Sequence, residues 1–470
     1  MTAVVPTTMH TATGTVDDPR PRKRVLLVTY PFPPVGGAGV QRVTKFVKYL
    51  PRLGWDVSVL TVANPSVPLY DDSLAKDIPP DTLVRRARSW EPGYALKASV
   101  SAGQQGEHRA RGGLKKFLSG AARRLGTLML QPDPQILWMP GAVAEGKRLL
   151  RRVRHDTILA SGPPFSTFLI AAALGRHAKV PLVLDYRDEW TISNEYWENK
   201  RLDPLSRYVQ GRMQRNVIRA AQGLVATTRF SAESLDTLNR RAGGRARTAW
   251  VYNGFDPDDF GAHAPTPRAE DGMFRLTYTG TLWNLTSVGP LVEAVNRVAK
   301  TAPELVAGLE LVFAGRRTGP QTELLAGLRG LPCRLVEHPY LDHSAAVALM
   351  RGSEALCLLL SDLPGAGRVV PAKLFEYMAT SRPVLTIAPP GEARDLLGGY
   401  PGGQFSPGDI EGIAAWLTGA IREHRAGTFR SAAGWDASAF TRENEAGQLA
   451  GFLNELLFAG SAARTRRDSP

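Results

Sequence analysis

Two kinds of apolar segment alternate along the chain, and their order predicts its fold. Residues 24–30 and 56–62 form short, continuous apolar runs rich in β-branched side chains. Between them, apolar residues recur at helical spacing from position 40 to position 50, after a loop that contains three glycines. Continuous apolar runs are typical of parallel strands that are covered on both faces. The order strand, loop, helix, strand predicts the start of a doubly wound α/β fold.

This alternation runs through the first half of the chain and then begins again after residue 272. The further strands predicted in the two series are residues 83–87, 157–160, 180–185, 223–228, 274–280, 309–316, 334–337, 355–360 and 383–387. The segment between the series, residues 257–272, is dense in Pro, Asp, Gly and Ala and is the best candidate for a linker. Two such series predict an α/β protein with two Rossmann-like domains that face a cleft. A last amphipathic helix is predicted from residue 437 onward.

Length and composition agree with two globular domains. The chain has 470 residues, of which 43% are hydrophobic and 22% are charged, and it is too long for one ordinary core. Its two cysteines, Cys333 and Cys357, argue for a reducing compartment and against a disulfide framework or a zinc site. The polar N-terminus lacks the apolar core of a signal peptide, and no apolar run approaches the roughly 20 residues that span a bilayer. We therefore expect a disordered N-terminal tail and a cytoplasmic protein.

The formal charge of +14 is concentrated in one segment. Residues 85–154 hold fifteen Lys and Arg against four Asp and Glu. Within this segment, residues 114–128 combine apolar positions at helical spacing with basic neighbours, which fits a helix that lies on the anionic inner face of a membrane. The same pattern fits an ordinary core-facing helix with a solvated basic face equally well. No nucleic-acid-binding motif accompanies the charge, so we expect no nucleic-acid partner.

The glycine loop after the first strand indicates a ligand site of limited specificity. Gly36, Gly37 and Gly39 allow the backbone to approach a ligand closely at a helix N-terminus. A dinucleotide site fits poorly, because Arg42 replaces the third glycine of the usual pattern and no acid ends the second strand. A purely structural tight turn remains the alternative.

Two other segments carry candidate site chemistry. Asp185, Asp188 and their charged neighbours end an apolar strand, where open parallel sheets bind their ligands, although polar strand ends are also common in solvent. Residues 369–385 predict a short helix, on which Lys373 could bind an anionic group and Glu376 could accept hydrogen bonds from a sugar diol. The alternative for this second segment is an ordinary helix start with one acid and one base.

Six segments, taken in order, resemble the GT-B glycosyltransferases of family 4. They read VLLVTYPFPPVGGAGVQR, DYRDEW, VYNGFDPDDF, YTGTL, FAGR and PAKLFEYMATSRPVL, and the resemblance covers about residues 24–458. It implies an α/β GT-B fold of two Rossmann-like domains facing a central cleft. It also implies that the second domain holds a nucleotide diphosphate sugar and the first holds an acceptor. Members typically retain the anomeric configuration and need no metal, so we expect no cofactor.

The resemblance also implies boundaries and roles. We predict a disordered tail at 1–23, an acceptor domain at 24–262 completed by a returning helix at 437–458, a donor domain at 263–436 and a basic tail at 459–470. By resemblance, Glu376 matches the glutamate that binds the donor ribose. The diphosphate would meet Lys373 and Arg316 and a backbone cradle formed by Gly280 and Thr281. The glycine loop would lie at the cleft, near phosphate and acceptor, and we expect His338 near the donor base or the cleft.

Two departures from the family pattern bear on activity. Arg368 stands where many members have a glutamate that contacts the donor sugar, so sugar recognition would fall to the backbone around Gly365 and Gly367 or to another side chain. Phe168 stands where relatives often have a histidine that supports transfer. Arg42, Asp185 and Asp188 then remain as catalytic candidates in the cleft.

These observations predict an enzyme. The leading hypothesis is a retaining glycosyltransferase that moves a hexose from a nucleotide diphosphate sugar to a hydroxyl on a glycan, a lipid-linked saccharide or a small molecule. The basic segment would suit an acceptor at an anionic membrane surface. The alternatives are a catalytically silent GT-B protein that binds a nucleotide sugar or a protein partner, favoured by Phe168 and Arg368, and a sugar-nucleotide epimerase of the same fold.

Overall fold

The first domain is built on a parallel sheet, as predicted. The computed structural model describes residues 22–67, 69–93, 129–190, 203–261 and 272–465. The strands of this sheet are β1 Lys23–Thr29, β2 Trp55–Val62, β3 Leu83–Ala87, β4 Thr157–Gly162, β5 Leu182–Tyr186, β6 Gly223–Ala226 and β7 Arg247–Trp250. They lie in the order β3-β2-β1-β4-β5-β6-β7, and each neighbouring pair is parallel.

The second domain repeats this plan. Its strands are β8 Phe274–Thr279, β9 Leu309–Ala314, β10 Arg334–His338, β11 Ala355–Leu359, β12 Val384–Ile387 and β13 Gly402–Phe405. They lie in the order β10-β9-β8-β11-β12-β13, again all parallel. The apolar pattern did not predict β7 and β13. Both are edge strands with little fully buried surface, and their sequences, RTAW and GGQF, lack a continuous apolar run.

Helices cover both faces of the two sheets. The α-helices of the described residues are α1 Ala38–Tyr49, α2 Met139–Arg152, α3 Ser166–Ala178, α4 Pro204–Ala220, α5 Arg229–Arg241, α6 Asp258–Gly261, α7 Gly289–Thr301, α8 Pro303–Val306, α9 Gly319–Ala326, α10 His343–Arg351, α11 Lys373–Ala379, α12 Glu392–Leu396, α13 Ile410–Arg425 and α14 Arg442–Thr465. Separate apolar clusters on the two faces of the first sheet, and others around the second, form the cores of the domains.

The strand order fixes where the two domains offer a ligand site. In the first sheet the chain reverses its direction of winding between β1 and β4, and in the second it does so between β8 and β11. The loops that leave β1 and β8 therefore diverge from those that leave their neighbours, which opens a crevice at the carboxyl ends of the strands. Both loops line the same cavity between the domains.

The last helix packs against the first domain. It begins at Arg442 rather than at residue 437, after a short 3₁₀ turn at Ser438–Phe440, and it continues to Thr465. Leu449 and Leu453, which are 0% and 1% exposed, belong to the apolar cluster that also contains α1 and the face of the first sheet. The helix thus completes the core of a domain from which it is distant in sequence.

Several predictions concern residues outside the described ranges. These include most of the N-terminal tail, the basic segment 114–128 and most of the linker, so the division at residue 262 stays a prediction. Within the described ranges, no helix is both long and apolar enough to cross a bilayer.

Replacing a buried contact of the last helix should destabilise the first domain. Leu453→Ala is expected to cost about 2–5 kcal/mol of unfolding free energy, because it leaves a cavity in a closed core. Denaturant unfolding measures this loss. The matched control is Phe458→Ala on the same helix, where the ring is 67% exposed. That variant should lose less than about 1 kcal/mol, and equal losses in the two variants would contradict the packing described here.

Candidate functional site

A cavity of about 570 Å³ lies between the carboxyl ends of the two sheets. The first domain contributes Pro31, Val35, Gly36, Gly37, Gln41, Val67 and Leu69 to its wall. The second contributes Thr279, Gly280, Thr281, Trp283, Leu285, Thr286, Ala314, Gly315, Arg316, Tyr340, Leu341, His343, Ala346, Leu360, Val369, Pro371, Ala372, Lys373 and Glu376. A cavity of this size with mostly apolar walls and a few convergent polar groups is typical of small-molecule sites.

Two glycines shape the floor of the cavity on the side of the second domain. Gly280 follows β8 with φ of 119°, and Gly315 follows β9 with φ of 137°, both in the region that favours glycine. A Cβ atom on Gly280 would lie 2.5 Å from Nζ of Lys373, and one on Gly315 would collide with the carbonyl group of Gly280. The backbone therefore approaches the lysine ammonium more closely than any side chain would allow.

Lys373 is the first residue of α11 and points into this cavity. Its Nζ lies 3.9 Å from the ring centroid of Tyr278. Among the described residues the ammonium has no hydrogen-bond acceptor or ion-pair partner. Burial lowers the pKa of Lys373 to about 7, although the charge of Glu376 acts in the opposite direction. A poorly solvated cation without a strong partner is unstable unless an anion joins it, so this position favours an anionic ligand.

Glu376 lies one helical turn after Lys373 and faces the same cavity. Its side chain is 14% exposed, and its Oε1 lies 3.8 Å from Nδ1 of His343. An ionised carboxylate offers two acceptor oxygens, so Glu376 can accept hydrogen bonds from both hydroxyls of a vicinal pair. The helix therefore presents one cation and one hydrogen-bond acceptor side by side.

The remaining donor-side residues predicted from the sequence lie at different depths. Arg316 and Thr281 are exposed at the rim of the cavity. His338 does not line it, since it ends β10, where its carbonyl oxygen accepts a hydrogen bond from the Gly315 N–H. Its donor-side role stays a prediction that this geometry does not favour.

The glycine loop of the first domain divides between two roles. Gly36 and Gly37 line the cavity, and Gly37, with φ of 107°, precedes α1. Gly39 is absent from the lining residues. Its carbonyl oxygen accepts a hydrogen bond from Nη1 of Arg187, and an added Cβ would lie 3.3 Å from that guanidinium group. Gly39 thus allows Arg187 to pack closely against the helix.

Arg42 and Asp185 form a buried structural pair and do not line the cleft. Both side chains are 1% exposed, with Nη2 of Arg42 2.8 Å from Oδ1 of Asp185. Ser161 donates a hydrogen bond to the same carboxylate, and Arg42 also donates to the carbonyl oxygens of Val251 and Tyr252. The expectation that they are catalytic groups in the cleft is therefore corrected, because each is buried against the other and neither lines the cavity.

Asp188 also lies apart from the cavity, on the exposed surface after β5. Its neighbour Glu189 is buried and turns toward the second domain. There, Nε of Arg368 lies 2.7 Å from Oε1 of Glu189. Of the charged residues at this strand end, Glu189 thus serves a contact between the domains, which a sequence pattern cannot distinguish from a ligand site.

Arg368 forms part of the same junction between the domains. Besides its ion pair with Glu189, its carbonyl oxygen accepts a hydrogen bond from the hydroxyl of Thr228, at the start of α5. Gly365 and Gly367 belong to the turn before it. Gly367 packs against the backbone of Pro390, which leaves neither glycine at the cavity wall. The placement of these three residues at the donor sugar stays a prediction without support from this geometry.

Phe168 occupies its position through packing. It is 0% exposed and belongs to an aromatic group with Phe165, Tyr186 and Trp190, with its ring centroid 4.6 Å from that of Tyr186. The sequence did not indicate the other polar residues of the cavity, chiefly His343, Gln41 and Tyr340. His343 opens α10 after the Asp342 cap, and this position at a helix N-terminus on the carboxyl side of the sheet is the one signal that could have identified it.

Comparison with solved structures identifies the fold. The chain matches Alr3699/HepE of Anabaena, solved with UDP and glucose, at 16% identity and a TM-score of 0.58 over 92% of this chain and 100% of that one. It matches a sucrose-phosphate synthase of Thermosynechococcus elongatus at 14% identity and a TM-score of 0.60 over 93% and 100%. It also matches WaaG, a glycosyltransferase involved in lipopolysaccharide biosynthesis, at 14% identity and a TM-score of 0.55 over 91% and 99%. The fold is therefore GT-B.

The sequence identifies the class more closely. Residues 36–254 match the family model described as a glycosyl transferase 4-like domain. No curated protein matches the chain. Residues 36–254, within the first domain, are thus similar to a glycosyl transferase 4-like domain, and the fold of the whole chain is GT-B. The resemblance noted in the sequence is confirmed in these respects.

Disrupting the buried ion pair between Arg42 and Asp185 should destabilise the protein rather than leave it stable and inactive. Asp185→Asn removes the charge that balances Arg42 in a dry site and is expected to cost about 3–5 kcal/mol in denaturant unfolding. Asp236→Asn is the matched control, because that carboxylate pairs with Arg240 on the surface of α5. It should cost at most about 1 kcal/mol. An Asp185→Asn protein of undiminished stability that has lost only turnover would support a catalytic role instead.

Proposed function

We propose that this protein is a glycosyltransferase that moves a hexose from a nucleotide diphosphate sugar to a hydroxyl acceptor, with retention of the anomeric configuration and without a metal. The observation that carries the proposal is the pair Lys373 and Glu376, which project from one turn of α11 into the cavity beside the Gly280 backbone. The acceptor is a glycan, a lipid-linked saccharide or a small molecule that reaches the cavity from the first domain.

The diphosphate would occupy the space beside Lys373. A nucleoside diphosphate leaves with developing negative charge, and a fixed cation in a poorly solvated site stabilises that charge without reorganising. Arg316 at the rim adds further donors, and the absence of side chains at Gly280 and Gly315 leaves room for the phosphates. These groups supply the charge stabilisation that a metal would otherwise give, which supports the metal-free proposal. Among the described residues, no group of three or more His, Cys, Asp or Glu could hold an ion.

The nucleoside would lie with its ribose at Glu376. A carboxylate accepts hydrogen bonds from two vicinal hydroxyls well, and this contact selects a ribonucleotide whatever its base. Alr3699/HepE, of the same fold, has been solved with UDP-glucose, at a TM-score of 0.54 to this chain, which makes UDP the first nucleotide to test. Gly36, Gly37 and the apolar Val67 and Leu69 face this site from the first domain.

The cellular location belongs to the same proposal. We propose that transfer takes place in the cytoplasm, with the protein attached at the inner face of the membrane when the acceptor is lipid-linked. The basic segment 85–154 supports this attachment through its charge alone.

Nucleotide screening tests the proposal. UDP, GDP, ADP and their sugars should include at least one ligand that raises the unfolding temperature of the protein, since a ligand that binds only the folded state stabilises it. The best donor should then be hydrolysed slowly, or transferred, in the presence of EDTA. Glu376→Ala should abolish the thermal shift, whereas Glu411→Ala, on the exposed surface of α13, should leave it unchanged.

Three outcomes of this screen are decisive. No stabilisation by any of these nucleotides would contradict the proposed donor class. Binding without hydrolysis or transfer to any hydroxyl acceptor would favour a catalytically silent protein. A normal thermal shift in Glu376→Ala would show that the donor lies elsewhere.

Nucleotide affinity should fall as the pH rises above 7, because of Lys373. The pKa of this lysine is lowered to about 7 in the free protein. A bound diphosphate stabilises the ammonium form and raises that pKa, so binding above pH 7 must be accompanied by proton uptake. Calorimetry at about pH 8 in buffers of different ionisation enthalpy measures this uptake. It should decrease in Lys373→Arg, whose guanidinium is always charged. Equal uptake in the two proteins would contradict this role.

A further inference from the structure

His343 occupies a junction between the two domains at the edge of the cavity. It is the first residue of α10 in the second domain, and its side chain is 14% exposed. Nδ1 of the ring lies 3.0 Å from Nε2 of Gln41, on α1 of the first domain. Nε2 lies 3.4 Å from Oδ2 of Asp259, in the segment that leaves the first domain. The ring of this second-domain residue therefore contacts groups of the first domain across the cleft.

The third neighbour of the ring is Glu376, which faces the same nitrogen as Gln41. Oε1 of Glu376 lies 3.8 Å from Nδ1. A neutral imidazole has one N–H and one acceptor nitrogen. Since the Asp259 carboxylate accepts, the hydrogen of a neutral ring belongs on Nε2. Nδ1 then accepts a hydrogen bond from the Gln41 amide and offers Glu376 nothing.

Protonation of the ring reverses this arrangement. Both nitrogens of an imidazolium are donors, so Nδ1–H requires an acceptor. Two are within reach, the Glu376 carboxylate and, after its amide turns over, the carbonyl oxygen of Gln41. A charge-assisted hydrogen bond or ion pair from the ring then restrains the Glu376 side chain. The charge state of His343 thus determines whether this carboxylate is held.

The charged groups around the ring favour the imidazolium. Burial lowers the pKa of His343. The hydrogen bond to Asp259 and the negative charges of Glu376 and Asp259 raise this pKa by more than burial lowers it. The positive charge of Lys45 opposes them weakly, and the net shift of the pKa is upward. Asp259 is itself held in place by Lys45, at 3.0 Å, and Lys76, at 3.4 Å. The remaining nearby carboxylate, Asp342, caps α10 through the Ala345 N–H.

We propose that His343 is a positioning residue for the donor: in its protonated form it orients the Glu376 carboxylate toward the ribose hydroxyls. This inference rests on the proposed function, because it assigns a second residue to the ribose contact. It predicts that the contribution of His343 to donor affinity is present at low pH and disappears as the pH rises through the pKa of the ring.

Nucleotide titrations across pH test this role. Of UDP, GDP and ADP, the tightest binder is titrated into the full chain and into His343→Gln, from about pH 6 to about pH 9, a range that brackets an ordinary or raised histidine pKa. The ratio of the two Kd values should be about tenfold at the low end, the size of one charge-assisted hydrogen bond, and should approach one at the high end. This ratio cancels the effect of Lys373, which is common to both proteins.

Two controls separate positioning from general damage. The 2′,3′-dideoxy form of the same nucleoside diphosphate lacks the hydroxyls that Glu376 would accept, so its Kd ratio should be close to one at every pH. His177→Gln, at an exposed histidine at the end of α3, should match the unmodified protein. His343→Arg, which keeps a permanent charge, should bind the nucleotide without the pH-dependent loss assigned to the ring, and it provides a second variant if His343→Gln does not fold.

The outcomes distinguish this inference from the proposed function. A Kd ratio that does not change with pH, or that is equally large for the dideoxy nucleotide, would contradict the positioning role while leaving the donor site intact. Failure of all three nucleotides to bind the unmodified protein would contradict the proposed function and this inference with it.

Discussion

The ion pair between Arg42 and Asp185 connects the parts of the first domain on which the site depends. One guanidinium, carried by α1, binds the carboxylate at the end of β5 and the carbonyl oxygens of Val251 and Tyr252, where the chain leaves the first sheet. In a buried position each of these groups would be costly to leave without its partner. This shared contact therefore fixes α1, and with it Gln41 and the Gly36–Gly37 loop, relative to the segment that continues to Asp259.

In the second domain, the cost of burying a charge without a partner has the opposite consequence. Lys373 is a cation in a poorly solvated cavity that has no hydrogen-bond acceptor or ion-pair partner among the described residues, and burial lowers its pKa. Arg42 is buried and paired, which makes it structural, whereas the charge of Lys373 has no such partner in the described part of the chain, which is why we propose it as a binding group. The structural role and the binding role therefore differ in whether the buried charge has an ion-pair or hydrogen-bond partner, not in the charge alone.

The sequence was sufficient for the fold because the parallel strands are buried on both faces and leave continuous apolar runs. Edge strands such as Arg247–Trp250 lack that signal. Lys373 and Glu376 could be placed from sequence because they lie on one helical turn. Asp185, Arg368 and His343 could not, since their roles are set by partners distant in sequence: Arg42, Glu189 and Gln41. A strand-end charge looks the same whether it meets a ligand or another domain.

A structure of the protein with a bound nucleoside diphosphate tests the central claim most directly. The account predicts ribose hydroxyl oxygens within roughly 3 Å of the Glu376 carboxylate and a diphosphate oxygen at a similar distance from Nζ of Lys373, as hydrogen bonds of these types require. It also predicts that Arg42 and Asp185 remain paired and out of contact with the ligand. A nucleotide bound with its ribose away from Glu376, or its diphosphate at Arg42, would contradict it.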